Sequence, residues 1–118
     1  MGTMSEDYNE KMHELNASYK QVFGAVGDTG AGFRQLHADA VAGGALDAKT
    51  KELMAVAVAI SIRCDGCITD HVCNAVKAGA TQEEINETVK VAIMMSGGPG
   101  VIYGGKALAA AKDFLANK

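Results

Sequence analysis

The sequence predicts an all-α fold: one domain spanning residues 1–118, a bundle of about six helices. Three observations carry that expectation. Apolar residues recur at helical spacing along most of the chain, between recognisable start and stop signals. The composition is rich in Ala and Gly, 5% aromatic and without Trp, which suits closely packed helices better than a sheet of aromatic and β-branched pairs. At 118 residues, 48% of them hydrophobic, the chain is globular and one domain in size. A chain of that size buries roughly two-thirds of its unfolded surface.

Residues 5–23 read as an amphipathic helix capped by Ser5, with Glu6 and Asp7 in the first turn. Tyr8, Met12, Leu15, Tyr19 and Phe23 form its packing stripe, and His13 falls off that stripe. Gly24 to Gly32 holds four glycines and reads as a loop. A short helix from Phe33 to Ala42 presents Phe33, Leu36, Ala40 and Val41 as its apolar side, and Gly43-Gly44 ends it. His37 neighbours Val41 on this helix and reads as a surface or core-edge residue. Asp47 caps a helix from Ala48 to Ile62, apolar all round after its first turns and so expected at the centre of the bundle. Cys64 to Ala78 is the next helix, ended by Gly79, with Cys67, His71, Ala75 and Ala78 on one face. Thr81 and Glu84 form a capping box that opens a helix through Ile85, Val89, Ala92 and Ile93 to Met95. Ser96–Gly100 breaks the chain, and Pro99 suits the first turn of a last helix reaching Ala116, with Val101, Leu108, Ala111 and Leu115 facing inward.

One segment also fits a strand. Val56, Val58, Ile60 and Ile62 alternate with Ala and Ser, and a thioredoxin-like protein carries a Cys pair at a helix start after such a strand. That fold needs further strands and a proline beside the site. Residues 1–46 read as helices and the single proline, Pro99, lies between two helical patterns, so the all-helical reading is the stronger.

The net charge is −3 and the basic residues are scattered, which argues against nucleic acid as a partner. The longest apolar run, Leu53 to Ile60, is too short to span a bilayer. The start of the chain has no charged segment followed by an apolar stretch, Met1-Gly2-Thr3 before Met4 reads as an expression remnant, and the expected location is the cytoplasm. In that compartment a Cys pair is catalytic or metal-binding more often than a structural staple.

Chemistry concentrates in Glu52 to His71. A thiol reacts as its thiolate, so a redox Cys needs stabilisation of the negative charge. Here Cys64 and Cys67 begin a helix, whose N-terminus favours negative charge, and Arg63 precedes them. His71 is i,i+4 from Cys67, which puts imidazole and sulfur on one face. The i,i+3 spacing lets Cys64 and Cys67 close a disulfide. His71 then needs an orienting group for its second nitrogen, and Glu52 is the best candidate. Glu52 also has a plain reading as a solvated carboxylate near its helix N-terminus. Asp65 and Asp70 read as surface residues, and Cys73 as a buried, inert thiol. A zinc site built from Cys64, Cys67, His71 and Glu52 is the minor alternative, since no second Cys pair or His cluster accompanies it.

The pattern Glu52-x11-Cys64-x2-Cys67-x3-His71 resembles the core motif of the alkylhydroperoxidase D (AhpD)-like group within the carboxymuconolactone decarboxylase family. Lys51-Glu52-Leu53 before an Ala/Val helix, the Gly79-Ala80-Thr81 break and the Gly97-Gly98-Pro99 break agree with it over roughly residues 35–115. The resemblance implies an AhpD-like all-α fold, usually a homotrimer or homohexamer, and reduction of a small organic hydroperoxide or hydrogen peroxide. It implies Cys67 as the peroxidatic residue, Cys64 as the resolving one and His71 with Glu52 as the proton relay. It also implies a thiol electron donor, a lipoyl or thioredoxin-type protein. The best-known AhpD proteins are longer and carry a His where this chain has Gly66, and decarboxylase members generally lack the Cys pair. No cofactor-binding motif is visible. The function expected is therefore a thiol-dependent hydroperoxide reductase. A general thiol-disulfide oxidoreductase is the alternative, and a zinc-binding or redox-sensing oligomer without turnover comes third.

Overall fold

The computed structural model describes residues 6–118. Six helices follow one another: α1 (Tyr8–Val26), α2 (Asp28–Val41), α3 (Ala48–Ser61), α4 (Asp65–Lys77), α5 (Gln82–Ser96) and α6 (Gly98–Ala116). No strand occurs among the described residues, so the ambiguous Met54–Ile62 segment is helical and the all-α prediction holds. Ser5 lies outside the described residues. The cap of α1 is Asp7, whose carboxylate accepts the N–H groups of Asn9 and Glu10. The Thr81–Glu84 capping box is present at the start of α5, and Asp47 caps α3 through the N–H of Thr50.

The core lies among α3, α4, α5 and α6, which pack on one another, while α1 and α2 form a hairpin whose α1 lies against α4 and α6 and whose α2 touches α3. Val56, Ile60, Ile68, Val72 and Ile85 are fully buried at its centre. Gly100, Gly104, Ala107, Ala110, Ala111 and Phe114 make the buried face of α6, and the lack of a side chain at Gly100 and Gly104 lets α5 approach closely. Val101, expected inward, is exposed, because the buried stripe starts one residue earlier at Gly100.

Two further expectations are corrected. The four-glycine segment is not a loop. Only Gly27 breaks the helical path, at φ 57°, and α2 resumes at Asp28. Gly30 is buried inside α2, where a Cβ would come within 3.1 Å of the Cα of Phe23. The glycines there mark a tight turn and a close crossing of two helices, not a disordered link. The second correction concerns apolar surface. α3 does touch α2, α4, α5 and α6, but Met54, Val58 and Ile62 on its outer side are exposed. With Val91, Met94 and Met95 of α5 and Val101 and Ile102 of α6, they leave an uncovered apolar face on three neighbouring helices. Phe33 and Leu36 of α2 are exposed as well. No helix among the described residues is long and apolar enough to cross a membrane.

Candidate active site

The site is built where α3 ends and α4 begins. The N–H of Arg63 bonds to the carbonyl of Ile60 (3.1 Å), and that of Cys64 to the carbonyl of Ala59 (3.0 Å). This paired closure requires a left-handed residue between them, and Arg63 takes it at φ 60°. The same closure ends α4, where the left-handed residue is Gly79. Arginine in this conformation costs on the order of 1 kcal/mol relative to glycine. The turn delivers Cys64 directly into the N-cap of α4.

There the sulfur of Cys64 accepts the N–H of Cys67 at 3.3 Å. A thiolate at Cys64 therefore receives both a direct donor and the positive end of the helix. Cys64 and Cys67 are joined as a disulfide, their Cα atoms 5.2 Å apart. Cys67 is partly buried and packs against the core, one turn before His71 on α4.

His71 and Glu52 meet across α4 and α3, with Nδ1 of the imidazole 2.7 Å from a carboxylate oxygen of Glu52. A carboxylate only accepts, so Nδ1 carries the hydrogen and Nε2 is left for proton exchange. Glu52 is 6% exposed, which rules out the plain reading of it as a solvated carboxylate. Few contacts constrain an imidazole as firmly as a buried carboxylate partner.

A cavity of about 460 Å³ opens beside this group, between the α1–α2 hairpin and α4. Cys67, Asp70 and His71 line it from α4. The rings of Tyr19, Phe23 and Phe33 make its apolar wall, and Arg34 and His37 reach it from α2. The size is that of a pocket for a small organic molecule. Six of these residues were not expected at a site. His37 stacks on His71, with ring centroids 5.5 Å apart and planes 22° from parallel. Asp70 is half-buried, not a surface residue, and accepts from the hydroxyl of Tyr19 at 3.4 Å. The guanidinium of Arg34 lies over the ring of Phe23, 5.3 Å from its centroid. Helical spacing placed Tyr19 and Phe23 on one face of α1, and nothing in that spacing says which helix the face meets.

Asp65 is also more than a surface residue. Its carboxylate binds Lys11 of α1 at 2.6 Å and lies 3.9 Å from Lys106 of α6, with Glu6 bound to the same lysine. These charges fix the start of α4 to the two terminal helices. Cys73 is buried, and its burial pushes the thiol above its ordinary range. Among the described residues no three His, Cys, Asp or Glu side chains converge on a metal-sized site.

Burial, then the charge of Asp70 and the hydrogen bond to it, push the phenol of Tyr19 from 10.0 up to about 12. Between those values the unfolded chain has lost this proton and the folded chain keeps it. The folded state then binds more protons, and stability falls as pH rises. Denaturant midpoints measured from pH 9 upward should decline above about pH 10, and Tyr19→Phe should make that decline shallower. An unchanged slope in the variant would mean the phenol is not held as described.

Residues 27–113 match the model of the carboxymuconolactone decarboxylase family. An uncharacterised protein of Cupriavidus necator is 36% identical over 110 residues, which cover 90% of this chain and 94% of that one. Among solved structures, an apo carboxymuconolactone decarboxylase family protein from Legionella pneumophila superposes with a TM-score of 0.87 at 36% identity, covering 93% of this chain and 98% of its own. A Thermotoga maritima family protein, described as having a possible part in an antioxidative response, gives 0.77 at 28% identity over 94% and 92% of the two chains.

Proposed function

We propose that this chain, which belongs to the carboxymuconolactone decarboxylase family, is a thiol-dependent hydroperoxide reductase with Cys67 as its attacking sulfur. The observation that carries the reading is that buried Glu52 of α3 holds His71 of α4, which lines the cavity one helical turn after Cys67. Nε2 of His71 takes the proton of the Cys67 thiol, the thiolate attacks the outer oxygen of a hydroperoxide, the O–O bond breaks, and the sulfur becomes a sulfenic acid. His71 supplies a proton to the departing alkoxide, which leaves as an alcohol, and Glu52 holds the imidazole for that transfer. Cys64 then attacks the sulfenic sulfur, water leaves, and the disulfide forms. Two electrons pass from the dithiol to the peroxide, and an external dithiol returns them by exchange.

The position of Cys64 suits this second step. The helix N-terminus stabilises its thiolate, which makes it available to resolve the sulfenic acid and a good leaving group when the disulfide is reduced. A lipoyl or thioredoxin-type protein is the donor class we assign, and a thiol-reducing cytoplasm is where such a cycle is sustained. The uncovered apolar face of α3, α5 and α6 is the surface we assign to self-association as a homotrimer or homohexamer. General disulfide exchange with protein substrates is the second reading. It is favoured by the same capped Cys64, and it gives the cavity no role.

The test is stoichiometric. One equivalent of cumene hydroperoxide added to fully reduced protein should lower the free thiols from the three of the sequence to Cys73 alone, with one equivalent of alcohol formed. Thiols that survive for minutes while a disulfide-bonded protein substrate oxidises them at once would favour the second reading.

A further inference from the structure

The cavity beside Cys67 has two unlike sides, one from α4 and one from α2. At α4 it holds the reacting groups. Along α2, His37 stacks on His71 and Arg34 stands one helical turn before His37, about 4.5 Å further along the axis. Tyr19, Phe23 and Phe33 make the rest of its lining. Arg34 makes no ion pair with any described residue, and its guanidinium rests on Phe23 at the rim. The other charged group of the cavity, Asp70, is engaged by Tyr19 and by the amide of Asn74 on the α1–α4 side. A cation without an acidic partner among the described residues, in a largely aromatic cavity that also holds Cys67, matches an anionic ligand with an apolar frame. That ligand is a carboxylate at the opposite end of a ring or short carbon chain from its reacting group.

We infer that Arg34 is a specificity residue and that the preferred substrates are hydroperoxides carrying a carboxylate remote from the peroxide. This rests on the peroxidase reading above. The carboxylate binds the guanidinium, the carbon frame lies along Tyr19, Phe23 and Phe33, and the O–OH group reaches Cys67. The reaction is unchanged: the dithiol gives two electrons, the hydroperoxide becomes an alcohol and water is released, and the carboxylate takes no part. A neutral hydroperoxide of the same frame forgoes the charged contact. Arg34 is exposed, so its replacement leaves the fold in place.

A matched pair of probes tests this without depending on turnover. The acid 4-(2-hydroxypropan-2-yl)benzoate is the alcohol product of a carboxylated cumene hydroperoxide, and its methyl ester is the neutral control. Each is titrated into the oxidised protein while the ring signals of His37 and His71 are followed by NMR. The acid should bind about tenfold more tightly than the ester, the loss expected for one charge-assisted hydrogen bond. Arg34→Gln should abolish that preference and Arg34→Lys should keep part of it. The corresponding hydroperoxides should show the same order in kcat/KM. Equal binding of acid and ester to the native protein overturns the inference, as does a preference that survives Arg34→Gln. A variant that keeps the preference but binds its protein dithiol donor less well would assign Arg34 to donor docking instead. Probe binding with the expected preference but no oxidation of the dithiol by either hydroperoxide would leave the specificity in place and defeat the peroxidase reading.

Discussion

Replacing His71 with alanine will slow oxidation of the reduced protein by hydroperoxide about 10²–10⁴-fold, the usual contribution of a positioned proton donor. The imidazole reaches the cavity one helical turn after Cys67, and it joins that cavity to the buried Glu52. Glu52→Gln separates orientation from charge. The amide keeps the shape of the side chain and can still accept from Nδ1, but it no longer stabilises a protonated ring. Its rate should therefore fall less than that of His71→Ala, and the two losses should not add, because both act through one imidazole. Rates of thiol loss in single-turnover mixing, read for both single variants and the double, check this. Additive losses would mean that Glu52 acts on something other than His71.

The largest effect on stability is expected at Ile60. Its side chain is fully buried on α3, two residues before the turn that delivers Cys64 to its cap. Ile60→Ala should cost about 2–5 kcal/mol, the lost burial plus the cavity left behind. Against a total stability of roughly 5–15 kcal/mol, that should lower Tm by on the order of 10 °C or more. Ile60→Val keeps most of the volume and should cost about 0.5–1.5 kcal/mol. Calorimetry of both variants in the oxidised state reads this gradient. A truncation to alanine that costs no more than the change to valine would show that the core around α3 collapses freely, contrary to the packing described.

The helix pattern was legible because period and punctuation agree in this chain. The Thr81–Glu84 box, Asp47 and Pro99 each mark a start that the structure places there. The end of α1 and the start of α2 were not legible, since glycine serves equally as a breaker and as a contact surface. Gly27 does the first and Gly30 the second, and only the partner helix distinguishes them. Within the site, the Cys64, Cys67 and His71 relation is local to one helix, so spacing alone suffices to bring them together. Glu52 lies on another helix, and its approach to His71 depends on how α3 packs against α4. Arg34, His37 and Asp70 escaped notice for a related reason. Each looks like an ordinary exposed or edge residue on its own helix, and they become a site only when the α1–α2 hairpin closes over α4. The exposed face of α3 was misjudged because an all-apolar helix fits a buried centre and an uncovered outer face equally well.

The central claim is that Cys67 is the sulfur that meets the peroxide, and one variant isolates it. Without Cys64 to resolve it, a sulfenic acid formed at Cys67 has no thiol at disulfide spacing, since Cys73, six residues further along α4, is buried. Reduced Cys64→Ser protein should therefore gain the mass of one oxygen atom after one equivalent of cumene hydroperoxide, and a sulfenic-acid-specific dione should label Cys67 in peptide mapping. Reduced Cys67→Ser should gain neither oxygen nor label on the same timescale. Label on Cys64 in the Cys67→Ser protein, with Cys67 unlabelled in the other, would reverse the roles and contradict the account.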